Sequence, residues 1–359
     1  PFDIDRVALA GAAVPVTESR MGDLEIVPLQ YAFSKDETLI YVPANVGETM
    51  PTWTLVWVDR QGQETPIAVP PRLYRMCNIS PDGGRVALEA MDISTASMDI
   101  WIYDLERGTS TRLTFDPGVD IVPVWTPDAQ RVVFSSGREG GPFALYSKAA
   151  DGTGAVERLG TSENNQFAFA FSSDGKELVL SEGRDPSPPF DITVLSLDGN
   201  GVSRPLVQTE FNEGEAAVSP DGRWMAYLSG ESGQDEIYVR PFPNVQAGRW
   251  QISTEGGSEP RWSRDGRELF YRNGDKMMVV SIEIESSFRA GTPETLFERQ
   301  FYFEMVADVL TYDVSPDGER FLMVKQVDGT EEVPSRTELI VVQNWFEELR
   351  RVAPHPETN

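Results

Sequence analysis

Histidine and cysteine are nearly missing from this chain of 359 residues, and their scarcity removes most familiar ways of building an active site. His355 stands alone in a proline-rich tail, Ala353-Pro-His-Pro-Glu357, so no Ser-His-Asp or Cys-His arrangement is available and histidine-based zinc sites are excluded. Cys77 is the only cysteine, which rules out an intrachain disulfide and a thiolate metal cluster. Its apolar setting, Arg75-Met-Cys77-Asn-Ile79, suits a buried, inert thiol better than a nucleophile. No run of about 18 apolar residues offers a membrane span. The phosphate loop Gly-x-Gly-x-x-Gly and the His-Arg-Asp and Asp-Phe-Gly sequences of protein kinases are lacking too.

Basic residues are in short supply. The 31 Lys and Arg face 57 Asp and Glu, a net charge of −26. That field repels DNA and RNA, and it disfavours anionic membrane surfaces. The acidity serves solubility, or else a preference for cations and cationic partners. The first residues, Pro1-Phe-Asp-Ile-Asp5, are neither an initiator methionine nor a signal peptide, and they read as cut from a longer parent.

What the chain has is turns and aromatics: 30 Gly and 26 Pro, with 18 Phe, 10 Tyr and 8 Trp. One phrase recurs seven times: Phe33-Ser-Lys-Asp36-Glu, Ile79-Ser-Pro-Asp82-Gly, Trp125-Thr-Pro-Asp128-Ala, Phe171-Ser-Ser-Asp174-Gly, Val218-Ser-Pro-Asp221-Gly, Trp262-Ser-Arg-Asp265-Gly and Val314-Ser-Pro-Asp317-Gly. Successive Asp residues stand 46, 46, 46, 47, 44 and 52 apart. An apolar strand runs into each phrase and another leaves it. Asp accepts amide hydrogen bonds in the turn, Gly tolerates positive φ, and Pro ends the ladder, so each phrase predicts a tight hairpin. A third strand follows, as in Thr54-Leu-Val-Trp-Val58, Asp99-Ile-Trp-Ile-Tyr103 and Glu338-Leu-Ile-Val-Val342, and a short fourth strand closes each unit.

Four antiparallel strands per repeat make a propeller blade. The sequence therefore predicts an all-β, seven-bladed β-propeller as a single domain over residues 1–359. Only six outer strands follow their blades. The segment Ala12-Ala-Val-Pro-Val-Thr17, within an N-terminal closing segment of residues 1–18, is expected to supply the missing one by pairing near 338–343. A short C-terminal helix is expected over 344–352, capped by Asn344 and stopped by Pro354, with Trp345, Phe346, Leu349 and Val352 on one face. Trp125, Phe171 and Trp262, each three residues before a turn Asp, read as packing between blades.

These phrases resemble the TolB-type propeller repeats of many bacterial proteins. Segments such as Gly222-Arg-Trp-Met-Ala-Tyr-Leu228, Glu236-Ile-Tyr-Val-Arg-Pro-Phe-Pro243 and Asn344-Trp-Phe-Glu-Glu-Leu349 are similar to the C-terminal propeller of certain bacterial serine/threonine protein kinases. That resemblance implies a sensor outside the cytoplasm, periplasmic or at the cell surface. In the parent it would be joined through a membrane helix to a kinase absent from this chain. The near absence of histidine argues against the lyase branch of similar propellers, which is expected to use histidines.

Carboxylates remain as the candidates for chemistry. Positions six to nine before each turn Asp should lie where the innermost strand begins, near one mouth of the axial channel. Asp120, Asn165, Gln166, Glu213, Glu215, Glu259 and Asp308 stand there, with Tyr74 and Arg75 in the second repeat. As ligand-binding residues they suit a small molecule, glycan or protein; Asp120, Glu213 and Glu259 are the candidate ligands for calcium or another divalent cation. No cofactor is required. The expected role is binding or sensing without catalysis. The rival is a glycoside hydrolase using Glu215 and Glu259, which share one offset in neighbouring repeats.

Overall fold

Six of the repeated phrases close their hairpins with the same three hydrogen bonds. The hydroxyl of Ser80, Thr126, Ser172, Ser219, Ser263 or Ser315 donates at 2.5–2.7 Å to Oδ1 of the Asp two residues on. That oxygen also accepts the amide two residues beyond the Asp, at 3.0–3.1 Å. The hydroxyl oxygen in turn accepts the amide five residues after it, at 2.9–3.0 Å. Two side chains thus satisfy donors that the chain reversal removes from the ladder. Glycine follows the Asp at φ of 70 to 75° in five of the turns, and Ala129 takes the same left-handed conformation at 56° in the sixth. Hydroxyl donors hold Asp82, Asp128, Asp174, Asp265 and Asp317 below the usual carboxylate range. Asp221 is lowered as well: burial pushes it up, but Ser219 and Arg223 outweigh that.

The computed structural model describes residues 53–327 apart from 93–96, 184–188, 200, 284–287 and 302–309, together with 2–3, 8–9, 31–34, 38–41, 340–343 and 345. Contacts divide the chain into two compact units, 51–327 and 1–50 with 328–359.

The larger unit is the propeller, and it has six blades rather than the seven expected. Blade I runs from Leu73–Ile79 to Thr109–Arg112, blade II from Asp120–Trp125 to Glu157–Arg158 and blade III from Asn165–Phe171 to Ser203–Val207. Blade IV runs from Glu213–Val218 to Trp250–Gln251. Blade V, from Ser258–Trp262 to Glu294–Glu298, carries an additional short strand at Arg289–Ala290. Blade VI joins Tyr312–Val314 and Arg320–Gln326 to Trp53–Asp59 and Glu64–Pro66. The ring therefore closes through Trp53–Asp59 against Arg320–Gln326, a ladder of seven residue pairs, and not through residues 12–17. Residues 12–17 lie outside the described residues.

The correction is an exchange of third strands. Tyr31–Phe33 and Leu39–Tyr41, the start of the first repeat, were expected to pair with Trp53–Asp59 as a blade. They pair with each other, and Leu39–Tyr41 pairs on its other side with Ile340–Val342 over three residue pairs, in the smaller unit. Both candidate third strands are apolar and β-branched, so composition does not name their partners, and the longer ladder forms in the ring. The smaller unit also holds the two-stranded pair Phe2–Asp3 with Ala8–Leu9. The expected C-terminal helix falls outside the described residues except at Trp345, which is helical; otherwise a 3-10 turn at Val245–Ala247 is the only helical element among the described residues. Of 344–352 only Trp345 is described, and it is buried. No helix among the described residues is long and apolar enough to cross a membrane.

The core lies between blades. Leu322 and Val324 of blade VI pack on Val86 and Leu88 of blade I, and Ile100 and Ile102 of blade I on Trp125, Val132 and Phe134 of blade II. Blades IV and V meet through Leu228, Ile237 and Val239 against Trp262, Leu269 and Val280. Trp125 and Trp262 fasten these seams, each donating its indole N–H at 3.0 Å to the carbonyl oxygen of the preceding blade, at Asn78 and Ala217.

Candidate functional site

Five of the six innermost strands, those of blades I to V, are irregular near their start. The register shifts between Tyr74 and Met76, Ile121 and Val124, Ala168 and Ala170, Gly214 and Ala217, and Ser258 and Arg261. A bulge leaves a residue out of the ladder and frees its amide. Val122, Glu215 and Glu259 stand at this place with φ of 54, 50 and 55°. The freed amides are caught by carboxylates of the preceding blade. Val122 N–H donates to Glu89 Oε2 at 3.1 Å, Glu259 N–H to Glu215 Oε2 at 2.5 Å, and Thr311 N–H to Glu259 Oε2 at 2.5 Å. Thr311 also donates its hydroxyl to both oxygens of Glu259, at 3.0 and 2.9 Å.

Two residues farther along, the same device recurs around the closing blade. Asp313 Oδ2 accepts the Ile79 amide at 2.7 Å and the Asn78 side-chain amide at 3.0 Å, and Asn78 Oδ1 accepts the Trp125 amide at 3.2 Å. Arg272 Nη1 donates to Thr311 Oγ1 at 3.0 Å. Arg261 Nε sits 3.5 Å from Asp313 Oδ1. Blades II, III and IV are joined at this level by hydroxyls: Ser135 to the Gln166 carbonyl at 2.8 Å and Ser181 to the Glu213 carbonyl at 3.4 Å.

The candidate residues divide by these partners. Tyr74 donates its hydroxyl to the Pro70 carbonyl at 2.6 Å, and burial pushes its pKa up to about 12. Arg75 is paired with Glu89 at 3.0 Å. Asp120, fully buried, is paired with Arg138 at 3.1 Å; burial raises its pKa against the pull of Ser136 and Arg138. Asn165 accepts the Phe143 amide at 2.9 Å, and Gln166 donates to Glu182 at 3.3 Å. Glu259 is raised by burial, opposed by Arg272 and Thr311. Asp308 lies outside the described residues. Burial raises the Cys77 thiol well above its usual range, as suits an inert core thiol.

Glu213 differs from the rest. It is fully buried, and its Oε1 accepts the hydroxyls of Thr209 and, at 3.4 Å, Ser229. Its Oε2 has no hydrogen-bond partner. Burial raises its pKa, and the nearby charges of Asp191 and Glu231 push the same way. Among the described residues no group of three or more His, Cys, Asp or Glu is disposed to hold a metal ion.

Sequence reasoning missed Glu89, Glu182 and Arg272, all in second strands. Glu89 and Arg272 stand seven residues after Asp82 and Asp265, the offset also occupied by Ser135 and Ser181. All four of these bond the next blade, so a repeat-aligned reading of second strands holds the signal. Glu182 is saturated, with donors from Ser162 at 2.5 Å, Asn164 at 3.1 Å, Gln166, Thr193 at 3.1 Å and Ser203. Burial raises its pKa, but these donors outweigh it and the net shift is downward.

The family model of the TolB beta propeller domain matches residues 61–185 and 152–335. An uncharacterized protein of Agrobacterium fabrum is 25% identical over 276 residues, which cover 71% of this chain and 85% of that protein. The Tol-Pal system protein TolB of Wolinella succinogenes is 29% identical over 190 residues, 48% of this chain and 43% of that one. An uncharacterized peptidase of Bacillus subtilis is 25% identical over 194 residues, but the match spans only 29% of its length. Among solved structures, a putative TolB from Agrobacterium tumefaciens superposes with a TM-score of 0.62 at 21% identity, over 78% of this chain and 99% of that one.

Proposed function

The chain belongs to the TolB β-propeller family, and on that premise we propose that it is a recognition module without chemistry of its own. It takes a cationic small molecule or a basic protein segment at the end of the ring where the innermost strands begin. The observation that carries this reading is the engagement of Glu215 and Glu259. A glycosidase needs two carboxyls about 5–10 Å apart, one free to give up a proton and the other free to attack or to activate water. Thr311 occupies both oxygens of Glu259, and the Glu259 amide occupies Glu215. Both side chains are fasteners between blades. What that end offers a ligand is the unpartnered oxygen of Glu213 on a chain of charge −26, an environment that selects cations. Within this proposal the propeller works outside the cytoplasm as the regulatory part of a larger bacterial protein. Its likeness to a Tol-Pal system protein supports that setting.

Calorimetric titration with spermidine, a lysine-rich peptide, calcium and a neutral oligosaccharide, at low and high salt, tests the reading. Heat is expected with the polyamine and the peptide, falling as salt screens the attraction. Binding of the neutral sugar alone, or turnover of chromogenic glycosides that disappears in Glu259→Gln, overturns it.

A further inference from the structure

Resting on that reading, we infer that Glu213 is the receptor for a primary ammonium group. Most buried carboxylates of the ring have their oxygens engaged by arginine, backbone amide or several hydroxyls. Glu213 Oε2 is buried with no donor, an arrangement that ordinarily costs about 1–3 kcal/mol and marks an acceptor for something else. Its surroundings specify the charge of the missing donor. Asp191 and Glu231 both lie close enough to raise the carboxyl, so a proton or an ammonium ion relieves three negative groups at once.

Access is set by a short connection. Residues 208–212 lead from blade III into blade IV. Thr209, exposed, hands its hydroxyl to Glu213 Oε1 and receives the Phe211 amide on its own oxygen at 3.0 Å. Phe211 is itself exposed at 37%. Gln208 covers the flank, donating to Asp191 Oδ2 at 2.8 Å. A ligand amine that takes Oε2 meets a carboxylate whose other oxygen is already held by the Thr209 and Ser229 hydroxyls, and the exposed Phe211 stands two residues before Glu213 in the same connection. This is the chemistry of a lysine side chain or a linear polyamine. A divalent ion wants several oxygens already converged, which the described residues do not provide.

The test titrates the intact chain with putrescine, with its fully N-methylated counterpart and with calcium, across the range from acid to neutral pH, and repeats the set on Glu213→Gln. Putrescine should bind more tightly as pH rises, because it competes with the proton on Glu213. It should lose at least about tenfold in affinity in Glu213→Gln, and it should exceed the methylated diamine, which has no N–H to donate. Equal putrescine binding by wild type and Glu213→Gln overturns this site while leaving cation recognition standing. Binding of calcium alone, or of none of the three, overturns it too. If Glu213→Gln does not fold, the wild-type preference for putrescine over its methylated form and the slope of affinity with pH decide the matter.

Discussion

From blade IV through V, VI and I to blade II, buried carboxylates end on backbone amides of the next blade: Glu215 on Glu259, Glu259 on Thr311, Asp313 on Ile79 and Glu89 on Val122. Around blades II, III and IV, serine hydroxyls make the corresponding links, and Glu213 keeps an oxygen unused. The difference follows the chain. Blade VI is assembled from two distant segments, 312–326 and 53–66, whose meeting carries a large loop-closure entropy. Charge-assisted bonds, roughly twice as strong as neutral ones, sit on both of its seams. Blades II to IV are continuous in sequence, and there a carboxylate is free to face a ligand.

Breaking the closing arc should have the largest effects. A chain starting at Leu73 lacks both strands that complete blade VI and should lose cooperative unfolding, whereas removing residues 1–18 should leave the melting of the ring unchanged. Differential scanning calorimetry of the two truncations checks this, and equal melting of the first with the full chain would refute closure through Trp53–Asp59. Next in size, Glu259→Ala takes the acceptor from the Thr311 amide and the carboxylate charge from near Arg272, and should cost about 3–5 kcal/mol in urea unfolding. Asp82→Ala, in an exposed turn that every blade possesses, should cost about 1 kcal/mol. If Glu259→Ala costs no more than Asp82→Ala, the special role of the closing arc fails.

The turn was fully legible because its chemistry is local. Hydroxyl, Asp and Gly lie within a few residues, and the same three bonds follow wherever they recur. The identity of strand partners was not legible. Thr54-Leu-Val-Trp-Val58 and Glu338-Leu-Ile-Val-Val342 are equally good third strands, and only the length of the ladder each can make separates them. The offset argument placed the carboxylates correctly at the start of the innermost strands, as for Asp120 and Glu213. It could not say which were engaged. The partners of Val122 and Thr311 come from the preceding blade, and no spacing within a single repeat encodes them.

The smallest effect sharpens the comparison most, because it separates a carboxylate that fastens blades from one that waits for a ligand. Burial and the charges of Asp191 and Glu231 raise the pKa of Glu213 above its ordinary value, so the folded chain holds that proton more tightly than the unfolded chain does. Its contribution to stability is fully present below the ordinary glutamate pKa of about 4.3 and is lost as pH rises through the folded value. The turn aspartates act in the opposite direction: their lowered pKa values stabilise the fold above about pH 4, and that stability disappears as pH falls through the folded values. Gln at position 213 imitates the protonated acid at every pH. Glu213→Gln should therefore match the wild type near pH 4 and become the more stable of the two toward neutrality. Glu259→Gln should be less stable than wild type at neutral pH, because an amide removes the charge beside Arg272 and cannot accept on both sides from Thr311. Urea unfolding of the three proteins at intervals from pH 4 to 8 reads the result directly. Parallel curves for wild type and Glu213→Gln would mean that Glu213 titrates as an ordinary surface acid, and the distinction between the two arcs would rest on the closing blade alone.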